Sequence, residues 1–228
     1  MEEGALKIES DFDLLLIFIY EAIGTFILVN GVAMASGDGK PVIVVCVLLM
    51  AIILTCRVTG AHFNGAVSLG VYILEAKWMK NLKVLFIYFI ADLLGATLGL
   101  ISSHLFKDGS DPFVLRPWDP DASWLTVLGI EFFFTTLFMG IIFHVKYHPL
   151  NPSNDIVLNN VVVLMSLYGC IGCIGGITGA CMNPMIALPG IIFHAITAPP
   201  GEPRYWKFLP SYIIGPLLGG VAAAILTK

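Results

Sequence analysis

Two asparagines, Asn64 and Asn183, sit in closely matched stretches of an otherwise apolar chain: Thr59-Gly60-Ala61-His62-Phe63-Asn64-Gly65-Ala66 and Thr178-Gly179-Ala180-Cys181-Met182-Asn183-Pro184-Met185. Gly and small residues interrupt a helix, and an Asn followed by a helix-compatible segment is an N-cap. A capping Asn accepts a backbone N–H through its side-chain oxygen, which leaves its NH2 donors free to point into a cavity. A passing water or hydroxyl oxygen would meet both sets of donors. Two helix N-termini converging there, each worth roughly half a positive charge, would oppose cations. Broken backbone at membrane depth is tolerated only where it is buried in protein or lines a cavity. Two half-helices at matching places in two chain halves therefore point to a permeation or binding site near the bilayer midplane.

Other chemistry-bearing residues are weighed against this pair. Glu21 and Glu131 fall inside apolar stretches, where an ionised carboxylate costs several kcal/mol without partners. Asp92 is another intramembrane acid, and Arg57 is the single basic residue deep in an apolar run, so a pairing of the two is open. Cys170 and Cys173 form a C-x-x-C without a second thiol or His pair nearby, which favours packing over redox chemistry or zinc. His144 and His148 have metal-compatible spacing, but cations are expected at a helix C-terminus in any case. No phosphate loop, nucleophile–base set or metal cluster is present in the sequence, so neither an enzyme nor a cofactor is expected. Asn151-Pro152-Ser153 imitates the asparagine motif in a polar connection and reads as a turn.

The elements that must position these residues follow from composition. The 228 residues are 57% hydrophobic and only 12% charged, against about 25% charged in soluble domains. A membrane span needs about 20 apolar residues, and the candidates are 14–34, 41–58, 83–105, 123–144, 156–176 and 206–227. The apolar pieces 62–74 and 183–195 are too short to span and suit re-entrant helices. With an odd number of spans per half, the second half enters from the opposite side, giving an inverted repeat. Further pairs support the duplication: Glu21 and Thr25 answer Glu131 and Thr135, and Tyr88…Leu93-Leu94-Gly95 answers Tyr212…Leu217-Leu218-Gly219. The expected architecture is an all-α membrane protein with six transmembrane helices and two re-entrant half-helices. Its parts are an acidic tail (1–13), a first repeat (14–105), a connecting loop (106–122) and a second repeat (123–228). Gly24, Gly95, Gly99, Gly172, Gly215 and Gly219 are expected at close helix crossings. The net charge of −4 includes no basic run that would suggest nucleic acid. Acidic residues precede the first apolar segment, so it lacks the basic flank of a signal peptide and is expected to be retained.

The paired boxes, the preceding Thr-Gly-Ala and the following Val67-Ser68-Leu69-Gly70 resemble those of the aquaporin and aquaglyceroporin (major intrinsic protein) family, over nearly the whole chain. The family signature is a pair of Asn-Pro-Ala boxes, and here they read Asn64-Gly65-Ala66 and Asn183-Pro184-Met185. The resemblance implies a passive channel for water or small uncharged solutes, assembled as a homotetramer in lipid, with both termini cytoplasmic. It also implies that Glu21 and Glu131 accept hydrogen bonds from the re-entrant backbone, with His62 in the same buried support, and that Asp92 replaces a neutral amide. The family's Arg after the second box is Ile186 here. By the family's spacings the other constriction positions are Val44, Ile171 and Ala180, a ring without donor or charge. Pro at the start of a helix pre-organises it, so Gly65 loses that help, and the Met185 thioether is expected to fill the gap left by the missing ring. The competing reading has Met185 in the passage as a plug. A different class of function remains open: a scaffold subunit of a larger membrane assembly whose pore has decayed. Lysines do not decide the orientation, although Lys77, Lys80 and Lys83 favour the cytoplasmic side for the first re-entrant loop.

Overall fold

The computed structural model describes residues 10–110, 112–149 and 151–228, and of Lys80 only the backbone. Most of the expected acidic tail, with Glu2, Glu3, Lys7 and Glu9, lies outside the described residues, as does Asp111. The described chain is helical without strands: α1 (Asp11–Met34), α2 (Lys40–Thr59), α3 (Gly65–Glu75), α4 (Trp78–Phe106), α5 (Trp124–Tyr147), α6 (Ile156–Ile174), α7 (Pro184–Thr197), a single 3-10 turn (Trp206–Phe208) and α8 (Leu209–Thr227). Six of these segments are long and apolar enough to cross a membrane, and α3 and α7 are the short apolar ones.

Side chains on the outside of the bundle are apolar. Met50, Ile53 and Leu54 on α2 and Phe86 and Ile90 on α4 are all more than half exposed, a cost in water but not in hydrocarbon. Inside, helices pair where glycine lets backbones meet. A Cβ on Gly95 would lie 2.3 Å from the Ala22 carbonyl oxygen of α1, and one on Gly99 would lie 3.0 Å from Asn30 N. The second half repeats this: Gly215 and Gly219 press on α5, 2.9 Å from Leu128 O and 2.8 Å from Phe132 O. The α1–α4 and α5–α8 pairs are thus corresponding parts of the two repeats.

Two of the expected crossings differ. Gly24 makes room for the Phe63 ring of the first re-entrant loop rather than for a helix backbone, and Gly172 has no neighbour within 4 Å of a built Cβ because it faces a cavity. The fourth span also runs on to Tyr147 rather than stopping at 144. That extra turn carries Lys146. Arg57 is exposed near the end of α2 and does not pair with Asp92, which instead accepts a 2.7 Å hydrogen bond from Thr25 Oγ1.

Gly95→Ala is expected to destabilise by about 1–3 kcal/mol, since the added methyl meets rigid backbone, and Gly172→Ala to stay within about 0.5 kcal/mol. Thermal unfolding of both variants in mild detergent checks this, and equal losses would contradict the assignment of Gly95 as a crossing point.

Candidate functional site

The two re-entrant loops are built the same way from different residues. α2 ends at Gly60, which is left-handed at φ 79°, and the loop then passes through Ala61 (φ 57°) and Phe63 (φ 50°). In the second loop Gly179 (φ 90°), Ala180 (φ 50°) and Met182 (φ 45°) take the same places. Left-handed backbone at a residue with a Cβ costs about 1–3 kcal/mol and persists only where the surroundings over-determine it. Here the determinants are visible. Phe63 N donates to Glu21 Oε1, while Met182 N and Cys181 N donate to Glu131 at 2.7 and 3.2 Å. Thr178 Oγ1 adds a 2.6 Å bond to Glu131. Tyr88 OH donates to the Thr59 carbonyl and Tyr212 OH to the Thr178 carbonyl, which explains the paired tyrosines. Both glutamates are fully buried.

After each loop an asparagine caps a half-helix. Asn64 Oδ1 accepts from Ala66 N at 2.9 Å and Asn183 Oδ1 from Met185 N at 3.0 Å. The side-chain amides are not wholly free for a cavity, contrary to the sequence reading. Asn64 Nδ2 donates to Met182 O at 2.8 Å and Asn183 Nδ2 to Phe63 O at 2.7 Å. Each cap is therefore tied to the other repeat's loop. An amide nitrogen carries two N–H groups, so one per asparagine remains for a guest.

The half-helix starts touch at the altered box positions. A Cβ on Gly65 would fall 2.6 Å from the Met185 methyl and 3.3 Å from Pro184 Cγ. Met185 is buried, and it is not among the cavity-lining residues, so its side chain packs in the space beside Gly65 and not in the passage. Ala66 is fully buried at the other contact, its carbonyl 2.4 Å from a built Cβ on Gly220 of α8. His62 stacks on Tyr88 at 4.3 Å and its Nδ1 lies 3.0 Å from Ser68 Oγ.

A cavity of about 450 Å³ runs past these loops. Lys40 and Pro41 at the start of α2 line it, as do Lys146 and Tyr147 at the end of α5, and these termini lie at opposite ends of the bundle because the spans alternate in direction. Between them it is lined by Asn64, Asn183 and His62, and by Val44, Ile171, Ala180 and Ile186. Gly172, Gly175 and Gly176 widen the α6 wall.

Several lining residues escaped the sequence reading. Phe113, Val114 and Leu115 fold in from the connecting loop, with Phe113 against Gly190 of α7. The apolar run Pro112-Phe113-Val114-Leu115 amid charged neighbours was the available signal. Lys146 reaches back to Gly60 O at 3.3 Å, and no spacing rule pointed to it. Elsewhere Cys170 is buried and Cys173 exposed, and the His144 and His148 rings stack at 4.9 Å. Among the described residues no three His, Cys, Asp or Glu side chains converge as a metal site. At Asn151 the side chain accepts from Ser153 N at 3.1 Å, a local turn.

Gly65→Pro is expected to destabilise while Met185 is present and to recover with Met185→Ala, with a coupling of about 0.5–3 kcal/mol for residues in contact. A double-mutant cycle of unfolding midpoints measures it, and simple additivity would refute the compensation.

The Major intrinsic protein family profile matches residues 7–227. Aquaporin-8 of Notomys alexis is 30% identical over 188 residues, which cover 75% of this chain and 62% of that protein. The chain therefore spans less than two thirds of the length of that relative. A probable glycerol uptake facilitator protein of Thermotoga maritima is 28% identical over 193 residues, covering 78% of this chain and 77% of its own. The aquaglyceroporin from Plasmodium falciparum superposes with a TM-score of 0.79 at 23% identity, over 93% of this chain and 95% of its own, a likeness of fold. Matched over nearly its full length by the family profile, with both re-entrant loops built on one plan, the chain belongs to the major intrinsic protein family.

Proposed function

We propose that the chain is a passive transmembrane channel, not an enzyme, for water and small uncharged solutes, with an apolar constriction. The observation that carries this reading is the cavity reaching from the start of α2 to the end of α5, past both box asparagines. A scaffold with a collapsed pore needs no such space, and Met185 is packed away from it. The remaining N–H of Asn64 and of Asn183 offers a donor to a passing oxygen, and the N-termini of α3 and α7 oppose cations. Val44, Ile171, Ala180 and Ile186 supply neither donor nor charge, and a ring of this kind discriminates by dewetting. An ion stripped of ligands there costs many times thermal energy, so cation exclusion does not need an arginine. Water loses partners over the same stretch, and less polar solutes of similar size lose less.

The chain works in lipid as a homotetramer with one passage per protomer and with its termini cytoplasmic. Family membership supports the assembly, and Lys77 and Lys83 beside the first half-helix support the orientation.

Stopped-flow shrinkage and swelling of liposomes holding the pure protein, with water, glycerol, urea and ammonia in turn, tests the reading. Wild type should conduct water slowly relative to less polar solutes, and Ile186→Arg should shift selectivity towards water. Rapid water flux through wild type contradicts the apolar constriction, and no flux of any solute through either protein supports the scaffold instead.

A further inference from the structure

The two repeats treat one buried threonine differently. Thr25 in α1 and Thr135 in α5 are each fully buried one turn after Glu21 and Glu131. Thr25 Oγ1 donates to Asp92 Oδ1, but Thr135 Oγ1 has no partner. The matching of Tyr88…Gly95 with Tyr212…Gly219 puts Pro216 where Asp92 stands, so the second repeat closes without an acid there. Asp92 is an addition that the shared architecture does not require.

Its surroundings leave acceptors unused. Asp92 is fully buried and its Oδ2 has no hydrogen-bond partner, and Glu21, fully buried as well, has an unpartnered Oε2. Packing brings the two acids to one place: Glu21 and Thr25 share a face of α1, Thr25 Oγ1 holds Asp92 Oδ1, and α1 presses on α4 at Gly95, one turn from Asp92. The other ionisable groups near them are few. Lys146 from α5 is held on the first loop at Gly60 O, His62 of that loop stacks on Tyr88, and the Tyr88 hydroxyl of α4 is committed to Thr59 O. Two carboxylates at one buried site do not both ionise readily. Glu131 has donors on both oxygens, from Thr178, Cys181 and Met182.

We propose that Glu21 and Asp92 form a proton-binding acid pair in the first repeat and together hold one proton, carried on Asp92 Oδ2. The proton removes one negative charge and turns one orphan acceptor into a donor. Glu21 stays ionised and keeps its bond to Phe63 N, while Phe63 O holds Asn183. The occupied pair therefore braces the first pore loop and, through it, the cap of the second.

Infrared spectroscopy of the full-length protein in lipid vesicles tests this whether or not the passage conducts. Asp92 is the one buried aspartate among the described residues, so 13C labelling of aspartate side-chain carboxyls isolates it. At neutral pH a carbonyl band of a protonated acid should appear above the amide I band, move on aspartate labelling and in D2O, and vanish in Asp92→Asn. Labelled wild type decides the matter even where the variant folds poorly. Absence of any protonated-acid band would show both groups ionised and overturn the pair. So would a band that moves only on glutamate labelling, since the proton would then belong to Glu21 or Glu131 alone.

Discussion

Hydrocarbon offers no hydrogen bonds, and a chain that breaks its helix at membrane depth must supply partners for every freed backbone group. The rest of this structure depends on how that demand is met. Glu21 and Glu131 accept the loop amides, Tyr88 and Tyr212 donate to the loop carbonyls, and the box asparagines cap the half-helices. Each asparagine also binds a carbonyl of the opposite loop. Neither loop is complete without the other, so the two repeats are joined where the passage runs.

That mutual support lets the signature boxes vary. Loss of the proline ring at position 65 and gain of a long side chain at position 185 act at one contact, where a flexible thioether fills an irregular gap at little cost. The exchange leaves the caps and their cross-ties in place. At Ile186 the change is of another kind: an apolar side chain stands in the cavity wall, and the two lysines that line the cavity lie at its mouths, Lys40 at the start of α2 and Lys146 at the end of α5 against Gly60 O. The lining changes in this way while the scaffold of bonded backbone stays as it is.

Much of this was legible in the residues. Repeated Thr-Gly-Ala-x-x-Asn, the buried acids and the length of the apolar runs define spans, half-helices and caps, because each reflects a local rule about helix ends or hydrocarbon thickness. Val44, Ile171, Ala180 and Ile186, located by family resemblance, all border the cavity. What escaped was non-local. The bonds from each Asn to the opposite loop join residues far apart in sequence, and the partner of Asp92 proved to be Thr25 rather than Arg57, because facing across two packed helices is set by their crossing and not by spacing. Gly172 has the type of a crossing residue but lies on the α6 wall of the cavity, a distinction that only packing makes.

The central claim is that two mutually tied half-helix caps hold open a passage beside a packed Met185. A single-particle cryo-EM map of the protein in lipid nanodiscs, at a resolution that shows side chains and ordered water, measures this directly. The account predicts an uninterrupted passage past Asn64 and Asn183, both amides within hydrogen-bond distance of the opposite loop, and Met185 density against Gly65. Met185 density across the passage, or asparagine amides turned away from Phe63 O and Met182 O, would contradict it.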